Sequence, residues 1–432
     1  MRDFDALGRL VKQEGPSGTM TAAYDLAGRR TRFAWAGYQV DYDRLATGEV
    51  EKIRENGATS GLGVLASFAY DDLGRRTGLV RGNGTSTSYG YDAASRLSSL
   101  VHTFPADPGK NLTLGFAYNP AGQIVEATRS NDLYAWTGHG SGTTASTANG
   151  LNQVDVHGGT QLTHDAKGNL TFDGTRTYGY TSENLLTTQS SGGSTTIRTY
   201  DPLGRLASSF ATGMPMPSGY SWFGDELVGE TFNGNVIARF VHGPGADEPL
   251  VSLSANGTRT WLHADERGSI VAGSLAAGTV QSIVAFDEYG RAGSASGYRF
   301  GFTGQMRLGG DLHFYKARMY YPALGRFLQP DPIGYGDGMN MYAYVGGDPV
   351  NAGDPDGATP QHIICKGTRL GCGAHRDRGG SGPSPGSSGA SEYVGRVNMA
   401  AAGAQAASTS TTKVGSKFYP WGGRSPEREP LQ

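Results

Sequence analysis

Bulky and polar side chains alternate over short runs along most of this chain. Thr195-Thr-Ile-Arg-Thr-Tyr200 and Thr171-Phe-Asp-Gly-Thr-Arg-Thr-Tyr178 are examples. A period of two is that of a half-buried β-strand. Many runs end in a shared punctuation: an aromatic residue, Asp, two variable residues, Gly, Arg and then an apolar residue or a second Arg. It reads Phe4-Asp-Ala-Leu-Gly-Arg-Leu10, Tyr24-Asp-Leu-Ala-Gly-Arg-Arg30, Tyr70-Asp-Asp-Leu-Gly-Arg-Arg76 and Tyr200-Asp-Pro-Leu-Gly-Arg-Leu206. Weaker copies begin at Tyr91, Tyr118, His164 and Phe286. Asp at the first position and Gly at the fourth suit a type I turn, because the carboxylate bonds backbone amides ahead of it. Each copy therefore predicts a β-hairpin. A lone hairpin is not stable, so successive hairpins are expected to pair edge to edge into one long sheet from residue 4 to about residue 300.

Composition sharpens this picture in two places. The 68 glycines and the 18% of charged residues disfavour a helical protein, since Gly is costly inside helices and useful in turns. The net charge of −2 conceals an asymmetry: residues 358–432 hold nine Lys/Arg against four Asp/Glu, or +5, which leaves −7 for the rest. Both cysteines, Cys365 and Cys372, lie in that last segment, so the repeats are no disulfide scaffold. The first residues carry no signal-peptide pattern, and no apolar run is long enough to span a bilayer. The chain reads as soluble, with specialised export or attachment to the cell left open.

The repeats lead into a Tyr- and Gly-rich stretch, Tyr298-Arg-Phe-Gly-Phe-Thr-Gly-Gln305 to Asp354-Pro-Asp-Gly357. It includes Leu312-His-Phe-Tyr-Lys-Ala-Arg-Met-Tyr-Tyr321 and Gly325-Arg-Phe-Leu-Gln-Pro-Asp-Pro-Ile-Gly334. Together these motifs resemble the RHS or YD repeats and the RHS repeat-associated core of polymorphic-toxin carriers, relatives of the teneurin YD shell. The resemblance covers roughly residues 1–357. It implies an all-β fold of antiparallel hairpins forming part of a spiral shell (1–297), a core segment (298–357) and a variable C-terminal extension (358–432). Met1 begins inside a repeat with no cap, which leaves an open edge. The chain is thus expected to be a C-terminal fragment of a longer protein, or to pair along that edge with an upstream shell segment or a shell-closing protein.

Candidate chemistry centres on two Asp-Pro-x-Gly motifs, Asp331-Pro-Ile-Gly334 and Asp354-Pro-Asp-Gly357, separated by nineteen residues. Both are expected to be turns. The family resemblance adds a second role, in which the two aspartates form an aspartic-protease-like pair that cuts the chain just after the second motif. Two close carboxylates share a proton, so one can activate water while the other donates. The resemblance thus implies catalytic Asp331 and Asp354, a cut at Ala358 or Thr359, and Arg326 as a steadying cation. The family pattern is broken by one extra spacer residue, by Ala358 in place of Leu, by Asp348 in place of Asn and by Tyr320-Tyr-Pro322 without the usual Asp.

The last segment offers less. His362, Cys365, Cys372 and His375 are residue types that can hold zinc, although the six-residue gap between the cysteines is not a standard spacing; surface thiols or a disulfide are the alternative. Lys366, Arg369, Arg376 and Arg378 form a basic neighbourhood that a nuclease would need to bind nucleic acid. Residues 379–390 read as a flexible linker and 392–407 as a short helix. No phosphate loop or nucleophile–base pair is present there, and no cofactor is implied. Two functions remain open: a carrier that encloses its own C-terminal extension as cargo, with an immunity protein as a further partner, or a non-enzymatic cell-surface or carbohydrate-adhesion protein.

Overall fold

A computed structural model describes residues 1–15, 18–140, 142–293 and 297–362. Among these the regular structure is strand, with short 3₁₀ turns and no α-helix. None of the described helical segments is long and apolar enough to cross a membrane.

The hairpins pair as the alternation predicts, but into two long sheets rather than one. Twelve strands, Arg2–Phe4 to Ile124–Arg129, form the first; thirteen, Thr163–His164 to Val280–Ile283, form the second. In both, strand order follows chain order and neighbours are antiparallel. The break falls between Arg129 and Thr163, although Asn149–Gln153 within that stretch closes with the same bonds as a repeat turn. Between Tyr118 and His164 the chain runs through a 3₁₀ turn at Asp132–Tyr134 and a small three-stranded sheet beginning at Ser146–Ala148.

Each repeat turn is built by its own residues. At Tyr24-Asp25, the Gly28 amide donates to the Asp25 carbonyl at 3.0 Å, closing the turn. The Asp25 carboxylate accepts from the amides of Ala27 (3.0 Å) and Arg29 (2.9 Å) and from Arg29 Nε (2.7 Å). Gly28 has φ +80°, the left-handed region that completes a type I turn with a G1 bulge, and the register shifts at the preceding aromatic. The Arg and the aromatic then tie one repeat to the next. Arg9 Nη1 reaches forward to the Asp25 carbonyl at 3.0 Å and its guanidinium lies over the Tyr24 ring. The Tyr24 hydroxyl donates back to the Leu10 carbonyl at 2.8 Å. Arg75–Tyr91 and Arg96–Tyr118 repeat the stacking, and Tyr91 and Tyr118 donate back to the Arg76 and Leu97 carbonyls.

The second sheet is the middle of three layers. In its central strands, adjacent residues go to opposite faces and both are buried. Val228, Val241 and Trp261 join Phe33, Trp35, Ile53 and Leu65 of the first sheet in one core. Their neighbours Leu227, Phe240 and Leu262 pack with Phe300, Met306, Phe314 and Met319 of the segment that follows. Continuous apolar pairs are what a strand covered on both faces requires. The sheet-to-sheet contact is also tied by Arg30–Glu226, Arg259–Glu55 and Arg76–Glu248 ion pairs, and by Trp261 Nε1 donating to the Leu65 carbonyl at 3.0 Å.

Candidate aspartyl site of the core segment

The segment after the second sheet adds a four-stranded sheet of two- and three-residue strands, from Met306–Arg307 to Arg326–Phe327. Strands this short pair few backbone groups, so aromatic packing and side-chain hydrogen bonds hold the segment. Phe302, Tyr315, Tyr320, Phe327 and Tyr344 form one buried cluster, with Tyr320 and Tyr344 ring centroids 4.6 Å apart.

Both Asp-Pro-x-Gly motifs meet on this cluster. Asp331 and Asp354 are 8% and 2% exposed, and each places Oδ2 against the same atom, Arg318 Nη2, at 2.9 and 3.4 Å. Arg318 is itself 2% exposed. Its Cζ lies 3.7 Å from the Phe327 ring centroid, Nη1 donates to the Met341 carbonyl at 3.0 Å, and Nε donates to the Gly357 carbonyl.

The two motifs are closed differently. In the first, the Gly334 amide donates to the Asp331 carbonyl at 3.0 Å and the Ile333 amide to its Oδ1 at 2.9 Å, the expected turn. In the second, the carboxylate does the closing. Asp354 Oδ1 accepts from the amides of Gly357 (2.9 Å), Ala358 (3.2 Å) and Thr359 (3.2 Å). Ala358 and Thr359 also donate to Asp356 Oδ1 at 3.1 and 2.9 Å. Burial pushes the Asp354 carboxyl up to about 7, against the pull of Arg318 and with a further push from Asp356.

Three consecutive residues hold three consecutive carbonyls of this loop. Lys316 Nζ donates to Pro355, the Ala317 amide to Asp356 at 3.1 Å, and Arg318 Nε to Gly357. Gly357 itself has φ +74°, and a Cβ there would lie 2.3 Å from the Tyr315 carbonyl oxygen. Any side chain there is strained in φ and forces the Tyr315 carbonyl to shift.

The two aspartates lie on one site, as the motifs suggested, but the cation expected to steady them lies elsewhere. Arg326 Nη1 donates to the Asn152 carbonyl at 3.1 Å and the guanidinium sits over the Tyr342 ring. The cation between the aspartates is Arg318. Arg318, in the aromatic-rich run Tyr315-Lys-Ala-Arg-Met-Tyr320 between two short buried strands, was the available signal, because a charge carried into a core needs partners. Asp348 accepts from Asn351 Nδ2 at 2.9 Å through both carboxylate oxygens, and Asn351 Oδ1 takes the Ile124 amide at 2.8 Å. Gln361–His362 pairs with Ala352–Gly353 as a final two-stranded sheet. Cys365, Cys372 and His375, the basic cluster, the linker and the helix expected at 392–407 lie outside the described residues.

A strand-by-strand antiparallel repeat wall closed by an aromatic, Arg-bridged core segment defines the class of YD-repeat β-shell proteins. The RHS Repeat family model matches residues 70–104. The chain is 27% identical over 274 residues to the tRNA3(Ser)-specific nuclease WapA of Bacillus spizizenii, which covers 56% of this chain and 12% of that protein. It is 39% identical over 66 residues to the toxin subunit YenC1 of Yersinia entomophaga, covering 15% of this chain and 7% of the subunit. Among solved structures, the TcdB2–TccC3–TEV crystal structure matches 78% of this chain and 21% of that one, with a TM-score of 0.60 at 17% identity, a likeness of fold. The chain therefore spans about an eighth or less of these two curated relatives and about a fifth of the solved chain. It is an RHS/YD-repeat protein.

Proposed function

We propose that the chain is the closing section of a toxin carrier, and that its core segment releases the variable C-terminal extension by cutting the backbone just after the second Asp-Pro-x-Gly motif. The observation that carries this reading is the placement of the Gly357–Ala358 peptide. Its carbonyl oxygen faces Arg318 Nε, and its nitrogen lies 3.2 Å from Asp354 Oδ1. In the proposed reaction Asp331 takes a proton from water, which adds to the Gly357 carbonyl carbon. Arg318 stabilises the negative charge that develops on the oxygen. Asp354, which keeps its proton up to about pH 7, accepts the Ala358 N–H in the resting loop; once the carbonyl carbon is tetrahedral the nitrogen's lone pair is freed, and the carboxyl O–H turns to it and delivers the proton as the C–N bond breaks. The products are a Gly357 carboxylate and an Ala358 amine. The Thr359 nitrogen is equally close to Asp354, but the Arg318 contact favours the first bond.

In this reading the released extension, +5 in charge, is the cargo, and an immunity protein or an additional shell segment belongs to the complete system. Nucleic acid enters only as a target of the extension. The test is expression of the whole chain followed by intact-mass measurement. Two fragments are expected, the smaller starting at Ala358 or Thr359. Asp331→Asn and Asp354→Asn should each leave one chain, and Asp348→Asn should be cut like the parent. A folded parent chain that stays whole for days would overturn the proposal.

A further inference from the structure

Between the second-sheet strands Asn235–His242 and Pro249–Ser254 lies a short turn, Gly243-Pro-Gly-Ala-Asp-Glu248, whose last two residues act in opposite directions. Glu248 goes to the first sheet. Its carboxylate pairs with both terminal nitrogens of Arg76, in strand Arg76–Arg81, and its Oε2 also takes the Gly245 amide at 2.8 Å. Asp247 goes to the core segment, where it takes Lys316 Nζ and Gln305 Nε2, the latter at 2.8 Å. Lys316 and Gln305 both continue to the Pro355 carbonyl, Gln305 at 3.1 Å. Backbone conformation fixes this placement further. Asp247 and Lys316 both sit at positive φ, 49° and 63°, and a Cβ on Gly304 would lie 2.1 Å from the Asp247 carbonyl oxygen. Asp tolerates that region, but a Lys enters it only when its surroundings hold it there.

A continuous chain of charged contacts therefore runs from the first sheet, through one turn of the second, to the carbonyl two residues before the proposed cut. We infer that this turn positions the scissile loop, so that the 357–358 peptide is held in reactive geometry only when both sheets and the core segment are packed together. Lys316, Asp247 and Gln305 are then positioning residues: none touches the reacting atoms, and each acts through the Pro355 carbonyl. The inference rests on the cleavage reading for its consequence, but the positioning can be measured without it. Placement matters at this scale because a displacement of about 1 Å at reacting atoms can cost on the order of a hundredfold in rate.

Two measurements separate the outcomes. In the first, amide hydrogen exchange is followed across residues 354–359 in an Asp331→Asn chain, which stays whole under the cleavage reading. Adding Lys316→Met should speed exchange at Gly357, Ala358 and Thr359 at least about tenfold, with the strands at 226–242 and 249–264 unchanged. Lys316→Arg should restore protection to within about threefold, because it keeps a donor for the Pro355 carbonyl. Arg76→Met should loosen the same three amides from the far end of the chain of contacts. In the second, the chain with Asp331 intact is made by cell-free synthesis and its cutting is timed. Lys316→Met and Asp247→Asn should cut at least about tenfold more slowly, with Lys316→Arg close to the parent. Loosened amides in a parent that never cuts would support the positioning and reject the cleavage reading. A parent that cuts, with Lys316→Met and Asp247→Asn at the same rate and with the same exchange, would overturn the positioning. Loop exchange that ignores Arg76→Met while Lys316→Met raises it would overturn the link to the first sheet.

Discussion

Removing the cation between Asp331 and Asp354 should damage the fold in a pH-dependent way. Arg318→Met keeps the length of the side chain and deletes the charge. Two carboxylates at 2.9 and 3.4 Å from one buried nitrogen each interact with it by roughly 5 kcal/mol at an effective dielectric constant near 20, before desolvation. Breaking a buried pair by removing one partner costs about 3–5 kcal/mol in practice, because the remaining charge stays buried. The informative comparison is with the triple variant Arg318→Met, Asp331→Asn, Asp354→Asn. Both chains lose the donors to the Met341 and Gly357 carbonyls, so that part cancels, and only the buried carboxylates differ. At pH 8 the triple variant should be the more stable by about 3–5 kcal/mol, read from urea denaturation by tryptophan fluorescence. The sign with pH follows from the direction of the shift. Burial holds the folded-state Asp354 carboxyl above its unfolded value near 4, and removing Arg318 removes the pull that opposes this. The folded state therefore binds more protons, and stability falls as pH rises from about 4 through the folded values. At pH 5 the two variants should converge. Equal stability at pH 8, or a gap that does not shrink in acid, would refute the argument that these carboxylates depend on this guanidinium.

Trp261→Ala should cost about 3–5 kcal/mol in the same denaturation assay, because the fully buried indole fills the space between the sheets and carries the bond to Leu65. Gly357→Ala should slow the proposed cut more than it lowers overall stability, since the added methyl meets the Tyr315 carbonyl beside the scissile bond; timed gels and thermal melts would separate the two effects. Cutting should proceed below about pH 7 and fall roughly tenfold per pH unit above it, because the ionised Asp354 carboxylate has no proton to deliver; a rate that rises from pH 7 to 8.5 would remove Asp354 from the acid role. Desolvation pushes the turn aspartates Asp25, Asp71 and Asp92 upward, but their bonds to backbone amides and Arg together outweigh it and the net shift is downward. Their support is present above the unfolded value near 4 and is lost as pH falls through the folded values, so a fragment containing only repeats should lose stability in acid, visible by circular dichroism.

The repeats were legible because their determinants are local. Asp25 bonds residues two and four places ahead, and Gly28 sits where only a positive φ closes the bulge, so the turn is written in one short stretch. The division into two sheets was less legible, since it depends on which side chains face which across layers. The doublets Leu227-Val228, Phe240-Val241 and Trp261-Leu262 recorded it, as pairs of apolar neighbours within single strands. The site divided in the same way. Asp331 and Asp354 were readable as turn residues in a family motif, whereas Arg318 joins them only through the packing of strands too short to be recognised by periodicity. Its contacts to Gly357 and Asp354 span 39 and 36 residues. Arg326 was the more conspicuous cation in the sequence, in Gly325-Arg-Phe, and its guanidinium is taken up by the Asn152 carbonyl.

The forward reach of the turn arginines has a consequence for how such a wall is made. Arg9 takes its carbonyl sixteen residues ahead, Arg205 nineteen and Arg96 twenty-three, while each repeat tyrosine reaches back to a carbonyl already in place. As the polypeptide leaves the ribosome, a new hairpin after an Arg-bearing turn meets a finished edge whose guanidinium still has a terminal nitrogen to give, so growth is vectorial and needs little search. Contacts such as Gln13 to the Trp222 carbonyl, 209 residues apart, form only much later. Synthesis itself thereby sets a clock: the stretch ending at Gly357 is translated after both long sheets, with Gln361–His362 still to come, and the wall is standing before this last turn is written.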